Sequence, residues 1–183
     1  MVEILVPDPS LVVLVGAAGA GKSTFAARHF DAAEILSSDR YREIVSGDET
    51  DQRATRAAFG RLHRDLARRL ADGRLAVVDA TNVESWARRT LVRRASVAAV
   101  PALAIVLDLP AATVLARNAA RTSRFVDVPV VVRHLARLRR GLDGPAPPIL
   151  AEGFATVVII RDAVEVDDTT IRRWSRAPMD LPR

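Results

Sequence analysis

The sequence predicts an α/β fold: a parallel sheet of about five strands, helices on both faces, and a helical lid over one end. Three observations predict it. The run Leu11-Val12-Val13-Leu14-Val15 is apolar throughout and of strand length, as suits a parallel strand buried on both faces. It leads directly into Gly16-Ala17-Ala18-Gly19-Ala20-Gly21-Lys22-Ser23, followed by Thr24, the spacing of a glycine-rich loop that opens a helix. From there strand-like runs alternate with helical patterns to about residue 160, the order that builds βαβ units.

The elements follow in turn. Residues 3–6 read as a short strand, stopped by Pro7 and Pro9. After the loop, Lys22 to Phe30 reads as a helix, and residues 33–39 as a second strand ending in Ser38 and Asp39. Arg40 to Val45 is a short helix, and a long one runs from about Asp51 to Asp72, with Phe59, Leu62, Leu66 and Leu70 at helical spacing and Gly73 as its cap. Residues 75–79 form the third strand, leading into Ala80-Thr81-Asn82. A helix over 84–99 and a fourth strand over 102–109 come next. Pro110 suits a helix start, and that helix runs to about Arg121. A further helix from Pro129 places Val131, Leu135, Leu138 and Leu142 on one stripe; residues 155–160 are the fifth strand. Residues 1–165 are thus expected to form one domain with its lid at about 111–142, and 166–183 a polar tail or linker, helical around Thr169 to Trp174.

Composition bounds the rest. The 183 residues carry a net charge of +5 and no cysteine, which excludes disulfides and thiolate metal sites. The longest apolar runs are too short for a bilayer span, and the start lacks the form of a signal peptide; a cytoplasmic protein with no membrane partner is the expectation. The basic balance favours an anionic partner, nucleic acid or nucleotide. Aromatic residues are 4% of the chain, too few for a base-stacking platform. The three histidines read as packing or surface residues, and Trp86 and Trp174 as packing rather than base-stacking residues.

The loop carries the chemistry. Glycines at Gly16, Gly19 and Gly21 let the backbone N–H groups, with those of Ala20 and Thr24, converge on phosphate, and the helix start adds partial positive charge. Lys22 reaches the β- and γ-phosphates and the Ser23 hydroxyl serves as a magnesium ligand. Lys22 is the only lysine among 27 basic residues; every other cation is arginine. A compact ammonium stands where a planar guanidinium fits poorly.

Ligands of parallel sheets sit beyond the carboxyl ends of the strands. The loop, Ser38 with Asp39, and Asp79 with Thr81 and Asn82 are therefore expected to face one crevice. A bound triphosphate that gives its phosphate to an alcohol needs a carboxylate to take the proton; Asp39 is the leading candidate, or else a helix cap. Arg42, one turn on, either clamps an acceptor phosphate or is solvated. Asp79 either belongs to the magnesium shell or braces the Thr81-Asn82 turn. Arg117 and Arg121, four apart, share a helical face, with Arg124 beyond; they read as lid arginines that close on the donor, or as a basic surface.

Segments Gly16 to Phe25, Ile35-Leu36-Ser37-Ser38-Asp39-Arg40, Val77-Val78-Asp79-Ala80-Thr81-Asn82 and Ala116-Arg117-Asn118 through Arg121 resemble the kinase module of bacterial polynucleotide kinase-phosphatase, the 5′-OH end-healing enzyme of RNA repair. The likeness also takes in Asp51-Gln52 and Glu152-Gly153-Phe154. It implies a P-loop kinase-type fold and ATP or another NTP as donor, with Mg2+ or Mn2+. Lys22 and Ser23 would bind phosphates and metal, and Asp39 would be general base on a 5′-hydroxyl of RNA or DNA. Arg42 would contact the acceptor strand, and Arg117 and Arg121 the donor phosphates. In that family a metallophosphatase module follows the kinase, and the resemblance implies work beside phosphatase and ligase modules. Arg176 to Arg183 reads as linker, so a kinase domain excised from such a fusion is the expectation. The alternatives are a P-loop kinase of a small metabolite (a sugar acid, nucleoside or antibiotic) and a nucleotide-binding module without turnover.

Overall fold

The computed structural model describes residues 2–47, 55–122 and 125–175. In chain order the elements are β1 (Glu3–Asp8), β2 (Leu11–Val15), α1 (Lys22–His29), β3 (Ile35–Ser37), α2 (Ser38–Ser46), α3 (Thr55–Ala71), β4 (Ala76–Asp79), α4 (Ser85–Val97), β5 (Ala102–Leu107), α5 (Ala111–Ala119), α6 (Val128–Leu142), β6 (Thr156–Ile160), α7 (Ala163–Asp167) and β7 (Thr170–Ser175). The five-stranded sheet runs in the order β3-β4-β2-β5-β6, and every pair is parallel. All five residues of β2 and all six of β5 are buried, because helices cover both faces of the sheet.

The pleat sorts those side chains. Leu11, Val13 and Val15 of β2, with Ala102, Ala104 and Val106 of β5, pack with Leu62, Leu66 and Leu70 of α3 and Leu91 and Ala95 of α4. Val12 and Leu14, with Leu103, Ile105 and Leu107, pack against Phe25 and Ala26 of α1 and Val114 of α5. This alternation is the period-two signature of a strand. The amphipathic stripe of α6 reaches both cores: Val131 enters the α1–α5 side and Leu138 the α3–α4 side.

Strand order fixes where the crevice opens. From β2 the chain crosses through α1 to β3 at one edge; from β5 it proceeds to β6 at the other. Connections that depart in opposite directions leave a gap above the carboxyl ends of β2 and β5.

Residues 161–175 differ from the expected polar, helical tail. Thr170 to Ser175 is a strand, paired in parallel with β1 as a separate two-stranded sheet. Val166 joins the α1–α5 core. Arg173 grips Glu34 through two hydrogen bonds of 2.8 and 2.7 Å, and its guanidinium lies over the Phe30 ring, 5.6 Å from the centroid. The Glu34 contact raises the Arg173 pKa above the ordinary arginine value. Asp51, Gln52, Arg124 and residues 176–183 lie outside the described residues. Among the described residues no helix is long and apolar enough to cross a membrane.

Because Glu34 is buried, Arg173→Ala strands a carboxylate that also accepts from the Asp31 amide. Urea unfolding should show a loss of about 1.5–3 kcal/mol, the range for hydrogen bonds to charged groups. Arg173→Lys should recover only part, since an ammonium cannot make the paired fork.

Candidate functional site

The loop after β2 wraps around its own lysine. Lys22 Nζ donates to the carbonyls of Gly16 and Ala17, both at 2.9 Å, and the residue is 8% exposed. Burial pushes its ammonium down to about 8; Asp79 opposes that shift and Arg121 adds to it. These three charges therefore share one site. Two glycines are required here. Gly21, at φ +95, caps α1 in a left-handed conformation. Gly19, at φ +90, lies so close to α5 that a Cβ would fall 2.6 Å from the Val114 carbonyl oxygen. Ala20 closes the turn through its amide to the Ala17 carbonyl, 3.2 Å.

Strand β4 delivers the next groups. Ser23 Oγ donates to Asp79 Oδ2 at 2.7 Å, joining the first turn of α1 to the end of β4. The pair offers a hydroxyl and a carboxylate, oxygen donors of the kind a hard divalent cation takes. Among the described residues no group of three His, Cys, Asp or Glu is gathered for a metal. Two protein oxygens suit magnesium, which keeps waters and takes its remaining ligands from phosphate. Gly16 N donates to the Thr81 carbonyl at 3.0 Å, so the turn after β4 also braces the loop. Asn82, at φ +48, is buried and donates its side-chain amide to the Leu14 carbonyl at 2.8 Å; its side chain is spent on the scaffold.

Strand β3 aligns Ser37 with Asp79, which sets the start of α2 beside the end of β4. Asp39 sits in the first turn of α2, one residue past Ser38, and the N-cap is Ser37. Its carboxylate accepts from Arg42 Nη2 and, more weakly, from Ser38 Oγ at 3.4 Å.

Two cavities flank this line. The first, about 330 Å³, is lined by Gly19, Gly21 and Thr24 of the loop and α1, by Phe25 and Arg28, by Arg117 and Arg121, and by Val166 and Asp167. The two arginines do meet, but not along one helix. The α5 helix ends at Ala119, and Arg121 lies beyond it. Arg28 pairs with Asp167 at 3.1 Å, closing the outer wall. The second cavity, about 560 Å³, opens between α3 and α4 at the end of β4; Phe59, Leu62, Val83, Trp86 and Leu91 line it with Arg56, His63, Thr81, Asn82 and Glu84. Trp86, expected to pack, is 71% exposed.

One buried cluster underlies all of this and has no counterpart in the sequence-derived site. Arg88 of α4 meets Glu152 through Nε–Oε2 at 2.7 Å and Nη2–Oε1 at 2.6 Å; the two side chains are 2% and 0% exposed. Its third donor, Nη1, reaches the Asn82 carbonyl at 2.9 Å. Arg88, Arg28, Val166 and Asp167 lie outside the sequence-derived site, which includes only Thr81 and Asn82 of the second cavity's lining. Arg28, one turn beyond Thr24 on α1, was the one that helical spacing could have supplied.

The architecture defines an α/β protein of the P-loop kinase-type fold. The chain belongs to the AAA domain family, whose pattern matches residues 11–145. No curated protein matches it in sequence. Among solved structures, a chain of the Pnkp1/Rnl/Hen1 RNA repair complex superposes with a TM-score of 0.62 at 22% identity, over 73% of this chain and 45% of that one. The present chain thus spans about half the length of that neighbour. Kti12 of Chaetomium thermophilum in complex with ADP-AlF3 gives 0.61 at 16% identity, over 86% and 93%. A gluconokinase from Sinorhizobium meliloti gives 0.54 at 17%, over 89% and 88%. Likeness at these identities carries the fold.

Arg88→Met should cost about 3–5 kcal/mol in urea unfolding, because it leaves Glu152 buried and unpaired. The double variant Arg88→Met with Glu152→Leu should recover most of that loss, an apolar pair of similar volume being nearly neutral.

Proposed function

We propose that the protein is a kinase that moves the γ-phosphate of ATP or another nucleoside triphosphate to a 5′-hydroxyl end of RNA or DNA. The observation that carries the reading is the line Lys22, Ser23, Asp79, Asp39 and Arg42 along the carboxyl ends of β2, β4 and β3. It has the glycine-rich loop with its lysine at one end and a carboxylate with an arginine at the other.

In this reading the loop amides of Gly16 to Thr24 hold the donor phosphates, with Lys22 exchanging its two loop carbonyls for phosphate oxygens. Arg117 and Arg121 hold the donor from the opposite wall of the first cavity. Ser23 and Asp79 would hold a Mg2+ or Mn2+ ion, which would supply positive charge against the charge of the phosphates. Asp39 takes the proton from the acceptor hydroxyl, whose oxygen attacks the γ-phosphorus as the bond to the β-phosphate oxygen breaks. The diphosphate leaves, and the proton stays on Asp39 until solvent removes it. Arg42 orients Asp39 and, in the same reading, meets a phosphate of the acceptor strand. Thr81 borders the acceptor side. The apolar second cavity suits a terminal nucleobase better than a polyhydroxylated sugar acid, which favours the polynucleotide reading over a sugar-acid kinase. One fold neighbour belongs to an RNA repair complex, and we extend that setting, with a cytoplasmic location, to this chain.

Incubation with labelled ATP, magnesium and a 5′-OH oligonucleotide should label the oligonucleotide, with affinity that falls as salt rises. Faster transfer to a small alcohol would mark a metabolite kinase, and triphosphate binding with no transfer a binding module. Asp39→Asn should lower kcat by roughly 10²–10⁴-fold, the usual worth of a general base, with nucleotide affinity little changed.

The Lys22 pKa of about 8 sets a pH dependence. Phosphate binds the protonated ammonium, present below that value and lost above it. Nucleotide affinity measured by calorimetry should therefore weaken as pH rises past 8, towards about tenfold per unit. Lys22→Met should bind weakly and flatten the dependence.

A further inference from the structure

We propose that His134 is a further contact to the donor, giving a hydrogen bond from Nδ1 to the terminal phosphate of the bound triphosphate. The inference rests on the reading of the site as one that holds a nucleoside triphosphate.

The path of α6 carries the argument. Val131 of this helix is buried in the core on the α1–α5 face, and Leu138 in the core on the α3–α4 face. His134 lies between them, three residues after the first and four before the second, on the same stripe. The helix therefore crosses the edge of the sheet at His134, turning it inward where both cores meet.

The groups around the imidazole say which edge. Lys22 of the loop, Arg133 and Arg137 of α6 itself, and Glu84, the N-cap residue of α4, are the charges that act on it. Lys22 and Glu84 come from the ends of the β2 and β4 connections. Arg137 pairs with Glu84 at 2.5 Å, which fastens α6 one turn beyond His134 to the start of α4. The imidazole thus hangs over the carboxyl end of the sheet, on the loop side of that clasp.

The Nδ1 atom is shut off from solvent and has no hydrogen-bond partner. An unmet polar atom of this kind costs free energy that a ligand oxygen would recover. Burial first, and then the cations led by Lys22, hold its pKa below the ordinary histidine value. The ring is consequently neutral near pH 7, with one N–H to give. A neutral donor adds a hydrogen bond beside Lys22 without crowding in another cation. The other histidines with an unmet nitrogen lie elsewhere: His29 packs on Phe25, and His63 faces the second cavity near Phe59.

Calorimetry with magnesium, using ADP and the non-hydrolysable β,γ-imido triphosphate, tests the assignment on the native chain, His134→Ala, His134→Asn and His134→Gln. The native chain should prefer the triphosphate. His134→Ala should lose about tenfold or more of triphosphate affinity, the worth of one hydrogen bond to a charged group, with ADP affinity nearly unchanged. Asn, whose amide N–H sits near the Nδ1 position, should restore most of the preference; Gln, which reaches the Nε2 position, should not.

An unchanged ratio of the two affinities in His134→Ala overturns the proposal. So does an equal loss for both nucleotides, or an Asn variant no better than Ala, since either marks a packing role. A chain that binds neither nucleotide overturns both this inference and the kinase reading. A chain with a His134-dependent triphosphate preference that phosphorylates no hydroxyl keeps the inference and loses the kinase reading.

Discussion

The ion pair between Arg88 and Glu152 is the constraint on which the site's geometry depends. Removing two charges from water is costly, and only good geometry with every donor used offsets it. Here three guanidinium donors are placed, two on one carboxylate and one on the Asn82 carbonyl. Asn82 in turn holds the Leu14 carbonyl, and the neighbouring Thr81 carbonyl holds the Gly16 amide. A chain of hydrogen bonds therefore runs from the loop before β6, through α4, to the first glycine of the phosphate loop. The close approach of α6 belongs to the same cluster, since a Cβ on Gly141 would come within 3.3 Å of Arg88 Nη2.

With that frame fixed, the sheet sorts its chemistry by position alone. The strands are apolar along their length and polar just past their ends, so the charged groups gather at one rim. There each is stabilised by a neighbour: Lys22 by loop carbonyls, Asp79 by Ser23, Asp39 by Arg42. The alternation of buried side chains feeds two cores, and one helix, α6, contributes a buried side chain to each.

Much of this was legible in the sequence, for physical reasons that vary by segment. The strands β2 and β5 are unbroken apolar runs, and the glycine spacing of the loop admits few other uses. The clustering of Asp79 with the loop followed from topology. What escaped notice had weaker signals. Strand β7 reads Thr-Ile-Arg-Arg-Trp-Ser and buries little, since it pairs on only one side; no hydrophobic pattern marks it. Arg88 stands among Arg89, Arg93 and Arg94 on a helix, where an arginine ordinarily faces water. Its burial depends on Glu152, 64 residues away. The end of α5 at Ala119 has no glycine or proline to announce it, so the sequence pattern continues the helix to Arg121.

The outer wall of the first cavity comes from Val166 and Asp167, among the last described elements of the chain. A chain leaves the ribosome amino-terminal end first. A nascent chain that has released only β2 to β6 holds every strand of the sheet and the phosphate loop, yet it still lacks one side of the cavity beside them. Competence to enclose a ligand there arrives as a separate, later event in the life of each molecule, timed by the emergence of residues 163–175 rather than by that of the sheet.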